Sequence, residues 1–238
     1  MIFRDLNLEK NLIENLESLG YKTLTPIQEN SLKYSLEKKD IIARAKTGSG
    51  KTLAFCLPII NNLDKKKYRV QSLILAPTRE LATQIAQTIR EVLRSTPNIK
   101  VLTLCGGVPY KPQVVSLSHE AHIVVGTAGR VLKHINEGNL KLENINTFVL
   151  DEADKMLDMG FFDDISNVCS LLPKQRQTLL FSATFSNEIK NLALEFLDNP
   201  VNIEVEDEEQ NIIKQVFYEV NSRDLKDNLI EKLIKKYQ

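Results

Sequence analysis

An α/β fold, built on a mostly parallel sheet covered by helices on both faces, is predicted by three observations. Short apolar runs alternate with longer amphipathic ones along the 238 residues, the pattern of successive βα units. One apolar run, Ile41-Ile-Ala-Arg-Ala45, feeds a glycine-bearing loop, Lys46-Thr-Gly-Ser-Gly-Lys-Thr52, and then a helical pattern. Another, Thr147-Phe-Val-Leu150, ends abruptly in Asp151-Glu-Ala-Asp154, which carries three carboxylates in four residues. In open parallel sheets ligands sit just beyond the carboxyl ends of the strands, so both segments fall where a ligand would be. A dinucleotide-binding sheet is the competing α/β architecture, but no G-x-G-x-x-G follows a strand.

The elements follow in order. Amphipathic helices are expected over Leu8–Ser18 and Ile27–Leu36. Ile41–Ala45 is an apolar run of strand length, and Thr52–Leu63 is the helix after the glycines. Strand Ser72–Ala76 leads into helix Arg79–Arg94, Val101–Leu104 into Gln113–His119, and His122–Val125 into Arg130–Glu137. The acid-ending strand, Phe148–Asp151, precedes a helix over Phe161–Leu171, and Thr178–Ser182 precedes Asn187–Leu197. Val201–Ile203 is the last strand of the series. The run Glu204-Val-Glu-Asp-Glu-Glu-Gln-Asn211 has little to bury and reads as a solvated linker. Beyond it Ile213–Val220 has strand character, and Asp224–Tyr237 is an amphipathic helical pattern with lysines at its favourable end. This divides the chain into a domain over 1–205, an acidic linker over 206–212 and the start of a second domain over 213–238.

The loop and the acids make chemical sense together. Gly48 and Gly50 let the backbone around Thr47 and Ser49 wrap until several N–H groups point at one phosphate, and the following helix N-terminus adds its positive end. Lys51 would reach the β- and γ-phosphates of a bound nucleotide, and the Thr52 hydroxyl would ligate Mg²⁺. Ala45 stands where the strict phosphate-loop pattern has glycine. Asp151 would hold Mg²⁺ through water, and Glu152 would orient and deprotonate a water attacking the γ-phosphate. An ordinary turn at the glycines and a solvated helix start at the acids are the bland alternatives.

Composition narrows the class. Net charge is zero, so a nucleic-acid site must be a local patch rather than a global basic field. Cys56, Cys105 and Cys169 are odd in number and sit in apolar surroundings, as reduced buried thiols do in a cytoplasmic protein. No run approaches transmembrane length, and no apolar signal segment opens the chain, so no membrane partner is expected. His119 and His122 have the spacing of a metal pair but no third ligand of matching type nearby.

Asp151-Glu-Ala-Asp154, continuing through Lys155-Met-Leu-Asp-Met-Gly-Phe161, resembles the signature of DEAD-box RNA helicases. Other segments agree in order. Ala45–Thr52 is similar to that family's motif I, Pro77-Thr-Arg-Glu-Leu81 to motif Ia, Gly106-Gly107 to its paired glycines, Thr127-Ala-Gly-Arg130 to motif Ib, and Ser182-Ala-Thr184 to motif III. Gly20-Tyr-Lys-Thr-Leu-Thr-Pro-Ile-Gln28 resembles the Q motif, with Phe3 as its isolated upstream aromatic. Leu24 and Ala128 depart from the family by replacing prolines, the second weakening the preset start of a helix.

The resemblance implies a RecA-like phosphate-loop domain that binds ATP with Mg²⁺ and hydrolyses it while unwinding RNA locally. It implies adenine contacts from Phe3, Tyr21 and Gln28, and largely sequence-independent RNA contacts from Thr78, Arg79, Gly106, Gly107, Thr127 and Arg130. It implies that Asp154, Ser182 and Thr184 couple nucleotide state to domain closure, and that residues 213–238 open a second RecA-like domain whose arginine-bearing motifs would follow Gln238. Local alternatives stand beside these roles. Phe3 would anchor a loose terminus, Gly106-Gly107 make a turn, Arg79 pair with a neighbouring carboxylate, and Ser182 or Thr184 cap the helix near Asn187. Two rival functions are a nucleotide-dependent RNA clamp with little turnover, which the presence of Glu152 disfavours, and a small-molecule phosphate-loop kinase, which would not need Gln28.

Overall fold

A computed structural model describes residues 1–119, 121–205 and 216–237. The chain divides into two units, Met1–Val205 and Glu206–Gln238.

The first unit is a seven-stranded parallel sheet. Its strands are β1 (Ile41–Arg44), β2 (Ser72–Leu75), β3 (Val101–Leu104), β4 (Ile123–Gly126), β5 (Thr147–Leu150), β6 (Gln177–Ser182) and β7 (Val201–Glu204), in the order β3-β4-β2-β5-β6-β1-β7. Because successive side chains point to opposite faces, β1 to β6 each feed two cores, whereas the edge strand β7 packs Val201 and Ile203 on one face and exposes Asn202 and Glu204 on the other. Ile41, Ala43, Ile74, Val149, Leu179 and Phe181 belong to one, and Ile42, Leu73, Leu75, Phe148, Leu150 and Leu180 to the other. The first core is closed by α1 (Lys10–Ser18), α2 (Pro26–Ser35), α3 (Lys51–Asn62) and α4 (Arg79–Val92). The second is closed mainly by α5 (Tyr110–Ser118), α6 (Ala128–Asn136), α7 (Ala153–Asp158), α8 (Phe162–Leu171) and α9 (Asn187–Phe196). Continuous apolar runs are what such doubly buried strands require, which is why they could be read directly.

Helix starts shift where caps decide. α6 begins at Ala128, two residues before the expected Arg130, with Thr127 as its N-cap, so alanine serves in place of proline at the first helical position. α5 likewise begins at Tyr110 rather than Gln113. The periodicity does not predict α7, which is too short at six residues to display it. All three cysteines are free and buried, and burial raises the thiol pKa of each, that of Cys169 to about 12.

In the second unit α10 spans Arg223–Tyr237, close to the expected Asp224–Tyr237. The expected linker at 206–212 and the first residues of the expected strand lie outside the described residues. The remainder of that strand, from Val216 to Val220, is irregular rather than extended into a sheet. No described helix is long and apolar enough to cross a membrane.

Candidate active site

Every site residue after the first two helices lies at or just past the carboxyl end of a strand, so the parallel sheet delivers all of them to one edge. The sheet order then sorts them. The loop after β1, the acids after β5 and Ser182 at the end of β6 share one half of that edge. Thr78 and Arg79 after β2, Gly106 and Gly107 after β3, and Thr127 and Arg130 around the start of α6 share the other half.

In the first half the loop 46–50 turns through two glycines with positive φ, Gly48 at 85° and Gly50 at 95°. Gly50 is required on a second count, because a Cβ there would stand 2.6 Å from Gln28 Nε2. Gln28 is 3% exposed; its Oε1 accepts from the Thr25 N–H at 3.0 Å and its Nε2 donates to the Gly50 carbonyl at 3.0 Å. It therefore ties the segment before α2 to the phosphate loop, a link between residues distant in sequence that periodicity cannot foresee. One N–H and one lone pair of the amide remain. Lys51 is buried at the start of α3 and donates from Nζ to the Ala45 carbonyl at 3.1 Å.

Asp151 and Glu152 are both buried but differ electrostatically. Burial pushes the Asp151 carboxyl up to about 6, against the pull of the Lys51 ammonium. Burial acts on Glu152 in the same direction but is outweighed by Lys155 and Thr47, so its pKa is lowered. Lys155 Nζ donates to Glu152 Oε2 at 2.7 Å and Thr47 Oγ1 to Oε1 at 2.8 Å. Glu152 also holds a left-handed backbone, φ 52°, as the N-cap of α7. Such strain in a residue other than glycine is characteristic of functional positions. Lys155 was not foreseen as a site residue, although its i,i+3 spacing from Glu152 on a helix would have found it.

The Asp151 shift has a testable sign. An acid whose folded-state pKa exceeds its unfolded value penalises the fold wherever both states are ionised. That penalty is full above about pH 6 and is relieved as pH falls from there towards the ordinary 3.8. Asp151→Asn in nucleotide- and Mg²⁺-free buffer is thus expected to raise Tm near neutrality by several degrees, at about 2–4 °C per kcal/mol, with the gain shrinking below about pH 6. Thermal melts of both proteins across that range are the check, and a gain independent of pH would show that Asp151 titrates normally.

Asp154 joins the acids to the end of β6. Its Oδ2 accepts from the backbone N–H of Ala183 at 3.1 Å and of Thr184 at 3.0 Å, and from Thr184 Oγ1 at 3.2 Å. Ser182 Oγ accepts from the Thr184 N–H at 3.4 Å within its own turn. The cap of α9 is Ser186, so neither Ser182 nor Thr184 serves the capping alternative.

The two N-terminal aromatics separate. Phe3 is 1% exposed inside the core beside α1–α4, so the anchoring alternative is the one realised and its ring offers no face to a base. Tyr21 packs only partly against that core and keeps accessible surface.

In the second half Thr78 caps α4, its Oγ1 accepting from the Leu81 N–H at 3.2 Å. Arg79 pairs with exposed Glu80 at 3.0 Å, the local alternative, and its Nη1 lies 3.4 Å from where a Cβ on Gly107 would stand. Gly107, at φ 73°, thereby lets the loop pass beside the guanidinium. Gly106 N–H donates to Thr127 Oγ1 at 3.4 Å and Arg130 Nη1 to the Val108 carbonyl at 3.2 Å. Three connections from three adjacent strands thus form one surface with two guanidinium groups.

A sequence model of the family described as DEAD/DEAH box helicase matches residues 25–192. The ATP-dependent RNA helicase DbpA of Escherichia coli is 45% identical over 227 residues, 95% of this chain and 50% of that protein. Among solved structures, a DEAD box protein from the hyperthermophile Methanococcus jannaschii superposes with a TM-score of 0.82 at 40% identity, over 87% of this chain and 56% of that one. A variant of S. cerevisiae Dbp5 bound to RNA and ADP BeF3 superposes with a TM-score of 0.78 at 32% identity, over 86% and 52%. The sheet is therefore of the RecA-like kind found in DEAD-box proteins, and the chain spans about half the length of the curated relatives it matches.

Proposed function

The chain belongs to the DEAD/DEAH box helicase family, and from that premise we propose that it forms the ATP-binding part of an ATP-dependent RNA helicase. The observation that carries the proposal is the division of one sheet edge into a phosphate-loop and carboxylate half and a guanidinium and glycine half. Two polyanions, a nucleotide and an RNA strand, can then be held side by side.

In the nucleotide half, Gly48, Ser49 and Gly50 wrap the phosphates, Lys51 neutralises them, and Tyr21 with the free amide groups of Gln28 faces adenine. The donor set of Thr52 hydroxyl and buried Asp151 carboxylate suits Mg²⁺, which takes one or two protein oxygens and fills its shell with phosphate and water. Mg²⁺ supplies charge neutralisation across the phosphates. Glu152, kept ionised by Lys155 and Thr47, is the general base for the attacking water. In the RNA half, Thr78, Arg79, Gly106, Gly107, Thr127 and Arg130 contact phosphate and sugar, which gives binding with little regard to sequence. Asp154, Thr184 and Ser182 lie between the halves of the nucleotide site and couple its state to closure against a second RecA-like domain that begins after the 206–212 linker. Buried thiols suit a cytoplasmic setting.

ATP hydrolysis with and without single-stranded RNA, by the protein carrying both RecA-like domains, is the deciding test, because the 238-residue chain alone is expected to turn over weakly or not at all. RNA-stimulated turnover supports the helicase, RNA retained by bound ATP without turnover supports the clamp, and hydrolysis indifferent to RNA overturns both. At the adenine, Gln28→Ala is expected to weaken ATP more than inosine triphosphate, which lacks the amino group. The difference should be about fivefold, the worth of one neutral hydrogen bond near 1 kcal/mol. Equal losses in calorimetric titrations would mean that Gln28 acts only by bracing Gly50.

A further inference from the structure

We infer that Tyr110 is a positioning residue for RNA binding, holding the Arg130 guanidinium and the Gly106–Gly107 loop together on one face of α6. This rests on the RNA role proposed for Arg130. Tyr110 opens α5 immediately after that loop, and Arg130, Lys133, His134 and Glu137 recur at i, i+3, i+4 and i+7, a single stripe along α6 and its cap. The Tyr110 ring lies along this stripe. It stacks on the His134 imidazole, with centroids 4.3 Å apart and planes 19° apart, while Lys133 Nζ stands 4.6 Å and Arg130 Cζ 5.4 Å from its centre. Its hydroxyl accepts from Asn139 Nδ2 at 3.0 Å.

The platform beneath the ring is fixed. His134 is fully buried, and its Nε2 lies 3.1 Å from Gln113 Oε1, while Gln113 Nε2 donates to the Cys105 carbonyl at 3.0 Å. The amide oxygen can only accept, so His134 carries its proton on Nε2. Burial, with Arg130 and Lys133 beside it, lowers the His134 pKa against the opposing pull of Glu137, which keeps the imidazole neutral and able to stack beside two cations. Through Gln113 the stack is bonded to the end of β3, the residue before Gly106. Arg130 is thus held from two sides, by the ring and by the Val108 carbonyl. A long side chain fixed in advance loses less freedom when it meets a phosphate.

The test uses the 238-residue chain, a fluorescent single-stranded homopolymer RNA at low salt, and fluorescence anisotropy. Tyr110→Leu, which keeps apolar bulk but no ring, is expected to weaken RNA binding by about two- to fivefold, the range of an exposed cation–π contact. Tyr110→Phe should bind like the parent, nucleotide affinity should be unchanged in both, and Tyr110→Leu added to Arg130→Ala should cost nothing further. Parental affinity in Tyr110→Leu, with Arg130→Ala weakened, overturns this inference alone. Additive losses overturn it by making Tyr110 an independent contact, and loss of nucleotide binding as well makes Tyr110 a residue of the fold. Parental RNA binding in Arg130→Ala, or none by the parent chain, overturns the RNA surface itself and the inference with it.

Discussion

Lys51→Ala is expected to lower nucleotide affinity by about two to three orders of magnitude, the scale of removing one partner from a buried hydrogen-bonded charge pair. Lys51 is 5% exposed, its ammonium is directed back to the Ala45 carbonyl at the mouth of the loop, and no water can replace it at the same charge. The loss has a second component. Lys51 is the chief group opposing the burial of Asp151, so without it the Asp151 pKa should climb further and the carboxylate should be less available to a cation. Calorimetric titration of ADP and ATP, each with and without Mg²⁺, separates the two parts: the direct part persists without Mg²⁺, and the indirect part shows only with it. An affinity within about threefold of the parent would mean that the backbone of the loop binds the phosphates unaided.

The central strands β2, β4, β5 and β6 were legible because each is buried on both faces along its length, and a mainly apolar run of that kind depends on nothing outside itself, while the less buried β3 and β7 rested on the βα alternation around them. Helix lengths were less so. α7 is six residues whose start is set by the left-handed Glu152 rather than by periodicity, and α6 starts at Ala128 because Thr127 is extended at its N-cap. In the site, the residues brought together by strand ends could be read from spacing, since a parallel sheet collects carboxyl ends at one edge by topology alone. What spacing does not carry is which side chain touches which across that edge. Thr47 meets Glu152, Gln28 meets Gly50, and Tyr110 meets Arg130 through contacts between separate elements. Phe3 shows the converse: an aromatic near the terminus reads identically whether it anchors or stacks, and only packing against the α1–α4 core decides for anchoring.

In the protein carrying both RecA-like domains, Glu152→Gln should leave nucleotide affinity close to parental while cutting the rate of ATP hydrolysis by about two to four orders of magnitude, the usual worth of a positioned general base. Gln keeps the length and shape of the side chain and can still accept from Thr47 Oγ1, so the loop geometry survives. It cannot take a proton from water. It also breaks the ion pair with Lys155, but that lysine is 55% exposed on its side chain and is rehydrated at little cost. The effect therefore falls on the transition state and not on the bound ground state, which predicts a drop in kcat with KM nearly unchanged. ATP should accumulate on the variant, and RNA with it, if Asp154 and Thr184 couple the ATP-bound state to closure against the second domain. Rapid-quench hydrolysis beside equilibrium RNA binding measures both quantities on one protein. Hydrolysis at the parental rate would remove Glu152 from the base role, leaving its left-handed backbone and its two hydrogen bonds as supports for the loop alone.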